Sequence, residues 1–269
     1  MKRFLIAFQF LTILPVSRSM IADAKDISGS TSYFVLVGLV QGLLLVIAGY
    51  MFGMVFHPDL VIAVILLVYI LSNGGFHLDG LADTFDAVAA KPGGDTEKDR
   101  HKRLAIMKDG STGPAGVIAI VSALALKYLA LKNISHMLYF DYYSALLLMP
   151  VIPKWAMVIS IYHGRPARQD GLGRALIDNI RIRNAAAATL LIILIFAVLN
   201  ISFSRYVTGT QHLFYALLLV VMYLLCRLFI RCSARRFGGL TGDVLGAIGE
   251  ITEIIFLFMV ILWSRLSTS

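Results

Sequence analysis

Three aspartates set 4 and 3 residues apart are the chain's most informative chemical feature. Asp79, Asp83 and Asp86 lie within Gly74-Gly75-Phe76-His77-Leu78-Asp79-Gly80-Leu81-Ala82-Asp83-Thr84-Phe85-Asp86. If a helix follows the two glycines, the i, i+4, i+7 spacing stacks three carboxylates on one face. Unpaired carboxylates repel, and in apolar surroundings their desolvation is costly. A hard divalent cation offsets both effects, and Mg²⁺ is typically held by one or two carboxylates together with phosphate oxygens and water. The plainer alternative is a polar helix face paired with Lys91 or Arg103.

Three further stretches carry groups of the same kind. Met107 to Gly116 sets Asp109 and Ser111 among glycines before an apolar run, a turn able to offer backbone N–H groups to phosphate or simply to cap a helix. Tyr162 to Arg174 contains Arg165, Arg168, Gly171 and Gly173; its arginines could clamp phosphate in a bidentate manner or serve only to orient the chain in a membrane. Gly238 to Glu250 holds Thr241 and Asp243, and Glu253 follows. Asp243, Glu250 and Glu253 can share one face of a helix that enters an apolar run. Ionisable groups there mark a functional site by default, with structural pairing to Lys154 or an arginine as the alternative.

These motifs are carried by a membrane protein. Of 269 residues 58% are hydrophobic and only 15% charged, and the mean hydropathy is +0.80. Soluble domains run at about 45–50% apolar and about 25% charged. Long apolar runs cover about residues 33–56, 60–72, 116–131, 142–162, 185–203, 212–230 and 246–263. A crossing needs about 20 apolar residues, and lipid forces spanning segments to satisfy their own backbone as helices. The expected fold is therefore all-α, a single integral membrane domain over residues 1–269 with about seven transmembrane helices. The second run is short and is expected to end near the interface, where Asn73, Gly74 and Gly75 break it. Phe4–Leu14 is too short to span and reads as re-entrant or interfacial. Followed by Pro15 and Arg18 and without a small-residue cleavage site, it does not read as a cleavable signal peptide. Cys226 and Cys232 have neither a disulfide pattern nor a metal-ligand spacing.

With seven crossings, 19 of the 24 Lys and Arg fall on one side and only Lys132, Arg205 and Arg265 on the other. Basic residues are retained on the cytoplasmic side, so the N-terminus and all four motif stretches are expected there. The net charge of +8 is mostly this topogenic signal. Dispersed among helix ends, it does not suggest nucleic-acid binding. Carboxylates for Mg²⁺, with arginines and glycine turns for phosphate, make up the parts of a phosphoryl-transfer site.

Six ordered stretches resemble the cobalamin synthase (adenosylcobinamide-GDP ribazoletransferase) family over nearly the whole chain. G-G-F-H-L-D-G-L-A-D-T-F-D-A (Gly74 to Ala87) looks like its signature. F-Q-F-L-T-I-L-P-V (Phe8 to Val16) is similar to its opening, and Tyr33-Phe34 through Gly38 and Gly42 to its first glycine-bearing helix. I-M-K-D-G-S-T-G-P-A-G (Ile106 to Gly116) is similar to a third element, with Gly110 where serine is usual. D-G-L-G (Asp170 to Gly173) stands where E-G-L-G is usual, and Gly238 to Glu250 matches the C-terminal signature.

The resemblance implies a Mg²⁺-dependent enzyme of the bacterial or archaeal cell membrane. It would join adenosylcobinamide-GDP to α-ribazole or its 5′-phosphate and release GMP, the last step of cobalamin assembly. On that reading Asp79, Asp83 and Asp86 hold Mg²⁺ against the pyrophosphate, and Asp243 and Glu250 complete its shell or bind a second ion. His77 is a candidate general base, its ordinary pKa being about 6.5, although a lone histidine is more often a structural hydrogen-bonder. Asp109, Ser111, Arg165, Arg168, Gly171, Gly173 and Thr241 are the candidate substrate contacts. The lipid bilayer is the expected surrounding, and a homo-oligomer is compatible with the sequence.

Two other readings compete. A CDP-alcohol phosphotransferase needs D-G-x-x-A-R and a later G-x-x-x-D-x-x-x-D; here Asp83 replaces the arginine and Lys91 the glycine. An ion-coupled transporter would show inverted repeats and a site reached from both faces, whereas no repeat is evident and the motifs gather on one side.

Overall fold

The computed structural model describes residues 1–14, 23–169, 171–202 and 211–268; Pro15, Val16, Arg18, Asp170, Phe203 and Arg205 lie outside them. The described chain is helical. Its elements are α1 (Lys2–Leu11), α2 (Ala24–Ser30), a 3₁₀ turn (Thr31–Tyr33), α3 (Phe34–Gly53), α4 (Pro58–Asn73), α5 (Phe76–Ala89), α6 (Thr96–Ile106), α7 (Pro114–Ser135), α8 (Tyr139–His163), α9 (Leu172–Asp178), α10 (Ile182–Ser202), α11 (Gln211–Phe237) and α12 (Gly242–Thr268).

Six helical runs are long and apolar enough to cross a bilayer: Ala24–Gly53, Pro114–Ser135, Tyr139–His163, Ile182–Ile201, Gln211–Phe237 and Gly242–Leu266. α4, with 16 residues, reaches about 24 Å at 1.5 Å per residue, and together with α5 it forms a bent apolar pair that brings the count to as many as seven. The expected bundle of about seven membrane helices is what the chain forms, and α1 is, as expected, too short to span. α8 is the central helix, buried along most of its length, with α3, α10, α11 and α12 packed around it. The outer helices turn Leu43, Ile47, Leu190, Ile193, Leu217 and Leu224 outward, as a lipid-facing surface requires. Cys226 and Cys232 are both free thiols.

Up-and-down threading brings the C-terminal ends of α4, α8 and α11 to the same end as the N-terminal ends of α7, α10 and α12. The four motif stretches and most of the basic residues therefore meet at this one end, called the basic end below.

Candidate active site

The break after α4 sets up the site. Gly74 and Gly75 have φ of 67° and 73°, left-handed values that side chains with a Cβ rarely adopt. The Gly75 N–H donates to Asn73 Oδ1 at 3.0 Å. The chain turns through 86° between α4 and α5, so α5 leaves the spanning direction and lies across the basic-end termini of α7 and α12. Close approach depends on two glycines. A Cβ on Gly80 would stand 2.7 Å from the Asp243 carbonyl oxygen, and one on Gly246 would stand 3.2 Å from His77 Cα. Without side chains at these points, Asp79 and Asp83 on α5 are carried against Asp243 in the first turn of α12.

Carboxylate crowding follows. Asp83 is pushed up to about 6, first by burial and then by the charges of Asp79, Asp243 and Asp86, with Arg168 opposing. Asp243 Oδ2 is buried without any hydrogen-bond donor, and the Arg168 guanidinium lies 3.9 Å from it, an ion-pair separation only. Arg168 spends its own hydrogen bond on the Leu104 carbonyl, at 3.0 Å. It is held in place by backbone pairing, because Leu240 N–H donates to Arg165 O (2.7 Å) and Ala167 N–H to Leu240 O (2.9 Å). That short parallel bridge clips the α8–α9 connection to the start of α12.

Two cavities meet at Asp243. The larger, about 560 Å³, is walled mainly by apolar side chains from α1, α2, α3, α5, α8, α9 and α12, with His77, Asp79 and Asp243 among its polar lining. The smaller, about 200 Å³, is lined by Arg168, Arg174, Gly171, Gly173, Thr241 and Asp243. Arg174, the last arginine of the Tyr162 to Arg174 stretch, is fixed by its neighbours: Nε donates to Asp178 at 2.8 Å and Nη1 to the Gln169 carbonyl.

Other expected site residues are placed elsewhere. Asp86 caps α7, its two oxygens accepting the Gly113 N–H (2.7 Å) and the Gly116 N–H (2.9 Å). The cap expected from Asp109 or Ser111 is thus supplied by another helix, and those two side chains are exposed and line neither cavity. Arg165 contributes its backbone to the bridge while its side chain is exposed. Thr241 Oγ1 accepts the Val244 N–H at 3.2 Å, so its hydroxyl caps α12. Among the described residues no three His, Cys, Asp or Glu side chains stand close enough to complete a metal shell by themselves.

Glu250 lies deeper, on the next turns of α12. It and Glu253 both bind the buried ammonium of Lys127 on α7, Glu250 at 2.5 Å, and the Tyr69 hydroxyl donates to Glu253. The alternative reading of these acids, structural pairing with Lys154 or an arginine, has the right kind of partner, but the direct one is Lys127. Lys154 instead stands 3.5 Å from His77 Nδ1, and both lysines flank the Tyr69 ring. Two buried lysines thus face two buried glutamates, which removes the net charge from the centre of the bundle.

A family model described as cobalamin-5-phosphate synthase matches residues 3–261. The chain belongs to the cobalamin-5-phosphate synthase family. Over 265 residues it is 34% identical to an adenosylcobinamide-GDP ribazoletransferase of Thermodesulfovibrio yellowstonii, spanning 98% of this chain and 97% of the relative. It is 33% identical over 266 residues to the protein of that name in Geotalea daltonii, spanning 97% of each. It is also 33% identical over 264 residues to that of Caldanaerobacter subterraneus subsp. tengcongensis, spanning 97% and 99%. No solved structure matches the chain. The family match and the shared ribazoletransferase name of these relatives set aside both the transporter and the CDP-alcohol phosphotransferase readings.

Proposed function

We propose that this membrane transferase joins adenosylcobinamide-GDP to α-ribazole or its 5′-phosphate with release of GMP. The observation that carries the proposal is family membership over nearly the full chain, together with relatives of matching length that bear the ribazoletransferase name. A ribose hydroxyl of the ribazole attacks the cobinamide-side phosphorus, forming the new P–O bond. The bond to the bridging oxygen breaks, and GMP leaves with that electron pair. The hydroxyl proton passes to Asp79, the most exposed of the clustered carboxylates.

A divalent cation suits this donor set. Asp243 has an orphaned buried oxygen, and Asp83 is crowded by like charge, so the two would hold Mg²⁺ while phosphate oxygens and water fill its remaining positions. When bound, Mg²⁺ would neutralise charge developing on the pyrophosphate. Arg168 and Arg174 supply the fixed positive charge of the smaller cavity, and the α12 terminus adds its N–H dipoles. The site then works mainly by positioning reactants and by charge already in place.

His77 takes a different part from the base its type first suggests. An ammonium 3.5 Å from Nδ1 makes that nitrogen the acceptor, which leaves the proton of a neutral ring on Nε2. In this tautomer His77 is a hydrogen-bond donor to substrate oxygen.

The excess of basic residues at the site's end supports a cytoplasmic site in a bacterial or archaeal cell membrane. Purified protein in liposomes, given both substrates and Mg²⁺, should form complete corrinoid and GMP in equal amounts. Corrinoid consumed without GMP, or no turnover in folded protein, would overturn the proposal.

A further inference from the structure

The two cavities that meet at Asp243 differ in chemistry. Among the described residues no lysine or arginine lines the larger one, whereas two arginines line the smaller. A pyrophosphate placed in the larger cavity would face Asp79 and Asp243 without a balancing side-chain cation from the described residues. In the smaller it meets Arg168 and Arg174. Phe10, Phe34, Phe76, Met157, Leu176 and Leu245 give the larger cavity walls suited to a flat apolar ring. Guanine carries several donors and acceptors that these apolar walls would leave unpaired, and a buried polar group without a partner is costly. A corrin macrocycle with its fringe of amides is too broad and too polar for a cavity of about 560 Å³. The benzimidazole base of a ribazole is flat, aromatic and apolar, and is stabilised by burying its surface against such walls.

We propose that the larger cavity is the seat of the acceptor's benzimidazole base, and that the smaller one holds the donor's pyrophosphate. This assignment rests on the transferase reading given above. The acceptor enters base first, its ribose stops beside Asp79 and His77, and its hydroxyl faces the phosphorus across Asp243. Helices α1 and α2 close the base pocket through Phe10 and Ile27, so a segment outside the main bundle selects the acceptor.

Steady-state kinetics of Phe10→Ala, Met157→Ala and the double variant Arg168→Gln/Arg174→Gln test the assignment. The first two should raise KM for α-ribazole by on the order of tenfold and leave KM for adenosylcobinamide-GDP within about twofold, and the arginine variant should do the reverse. If Phe10→Ala and Met157→Ala raise the donor's KM and spare that of α-ribazole, the assignment is overturned. Equilibrium binding of free 5,6-dimethylbenzimidazole to the wild-type protein needs no turnover. Saturable binding that weakens in Met157→Ala and survives in Arg168→Gln/Arg174→Gln supports the base pocket even if the transferase reading fails. Absence of saturable binding in folded protein, or binding lost only in the arginine variant, refutes the pocket even if GMP is released.

Discussion

Lys154 Nζ stands 3.5 Å from Nδ1 of His77, with the lysine wholly buried and the histidine 7% exposed. The contact links the charge-balanced centre of the bundle to the wall of the larger cavity. A histidine set in one tautomer by a neighbour loses function when the neighbour is removed, even though the ring remains. Lys154→Met should therefore lower kcat by on the order of tenfold or more while changing KM for either substrate by less than about threefold. The same change leaves Glu250 and Glu253 with one lysine between them and should also destabilise the fold. Adding Glu253→Gln restores the charge balance. The double variant should regain thermal stability in detergent and not regain kcat, a separation that a purely structural role for Lys154 would not give.

Lys127 carries most of the structural charge burden. Its ammonium lies between two carboxylates, so Lys127→Met leaves two acids in the core without their direct partner, at a cost of about 3–5 kcal/mol. The expected result is poor yield of monodisperse protein, improved when Glu250→Gln is added, which leaves Lys154 opposite Glu253. Glu250→Gln alone should weaken thermal stability and leave the Mg²⁺ concentration for half-maximal rate unchanged. A large rise in that concentration would return Glu250 to the metal set.

Asp86 is expected to behave as a cap. Asp86→Ala removes the acceptor for two backbone N–H groups at the start of α7 and should cost about 1–2 kcal/mol. Asp86→Asn keeps one acceptor oxygen and should keep most of the activity with the Mg²⁺ requirement unaltered. Melting curves and a Mg²⁺ titration on the two variants check this. Full loss of activity in a stably folded Asp86→Asn protein would contradict it.

Much of this site was legible in the chain because local rules governed it. Consecutive glycines after Asn73 ended α4, and the spacing of Asp79 and Asp83 set them one turn apart on α5. Alternation of the apolar runs brought the motif stretches to one end. The parts that escaped depend on which helix lies beside which. Asp86 has the same local spacing as its neighbours, and only the approach of α7, 27 residues on, converts it from candidate ligand to cap. Lys127 and Lys154 both sit in apolar runs, and sequence gave no reason to choose the former as partner of Glu250. The base pocket needs α1 and α2 to wall one cavity together with α5, α8 and α12, an arrangement that no periodicity of α1 alone reveals. Gly80 and Gly246 were readable as motif glycines, and their reason, close packing of α5 on α12, became visible only with both helices in place.

The pH dependence of the reaction should report Asp83. Its carboxyl is pushed up to about 6, so it is largely protonated below that pH and largely ionised at 7.5. Since the charged form is the one that binds a cation, protons and Mg²⁺ compete for it. Activity should fall as pH drops through about 6 when Mg²⁺ is limiting, and the midpoint of that fall should move to lower pH as Mg²⁺ is raised. The sign follows from linkage: a ligand that binds only the deprotonated group lowers its apparent pKa. Asp83→Asn, which cannot ionise, should lose most activity at every pH and show no such midpoint. Rate profiles from pH 5 to 8 at two Mg²⁺ concentrations decide the matter. An acid limb that does not move with Mg²⁺ would mean that the group titrating there is not a ligand, and would take Asp83 out of the proposed metal pair.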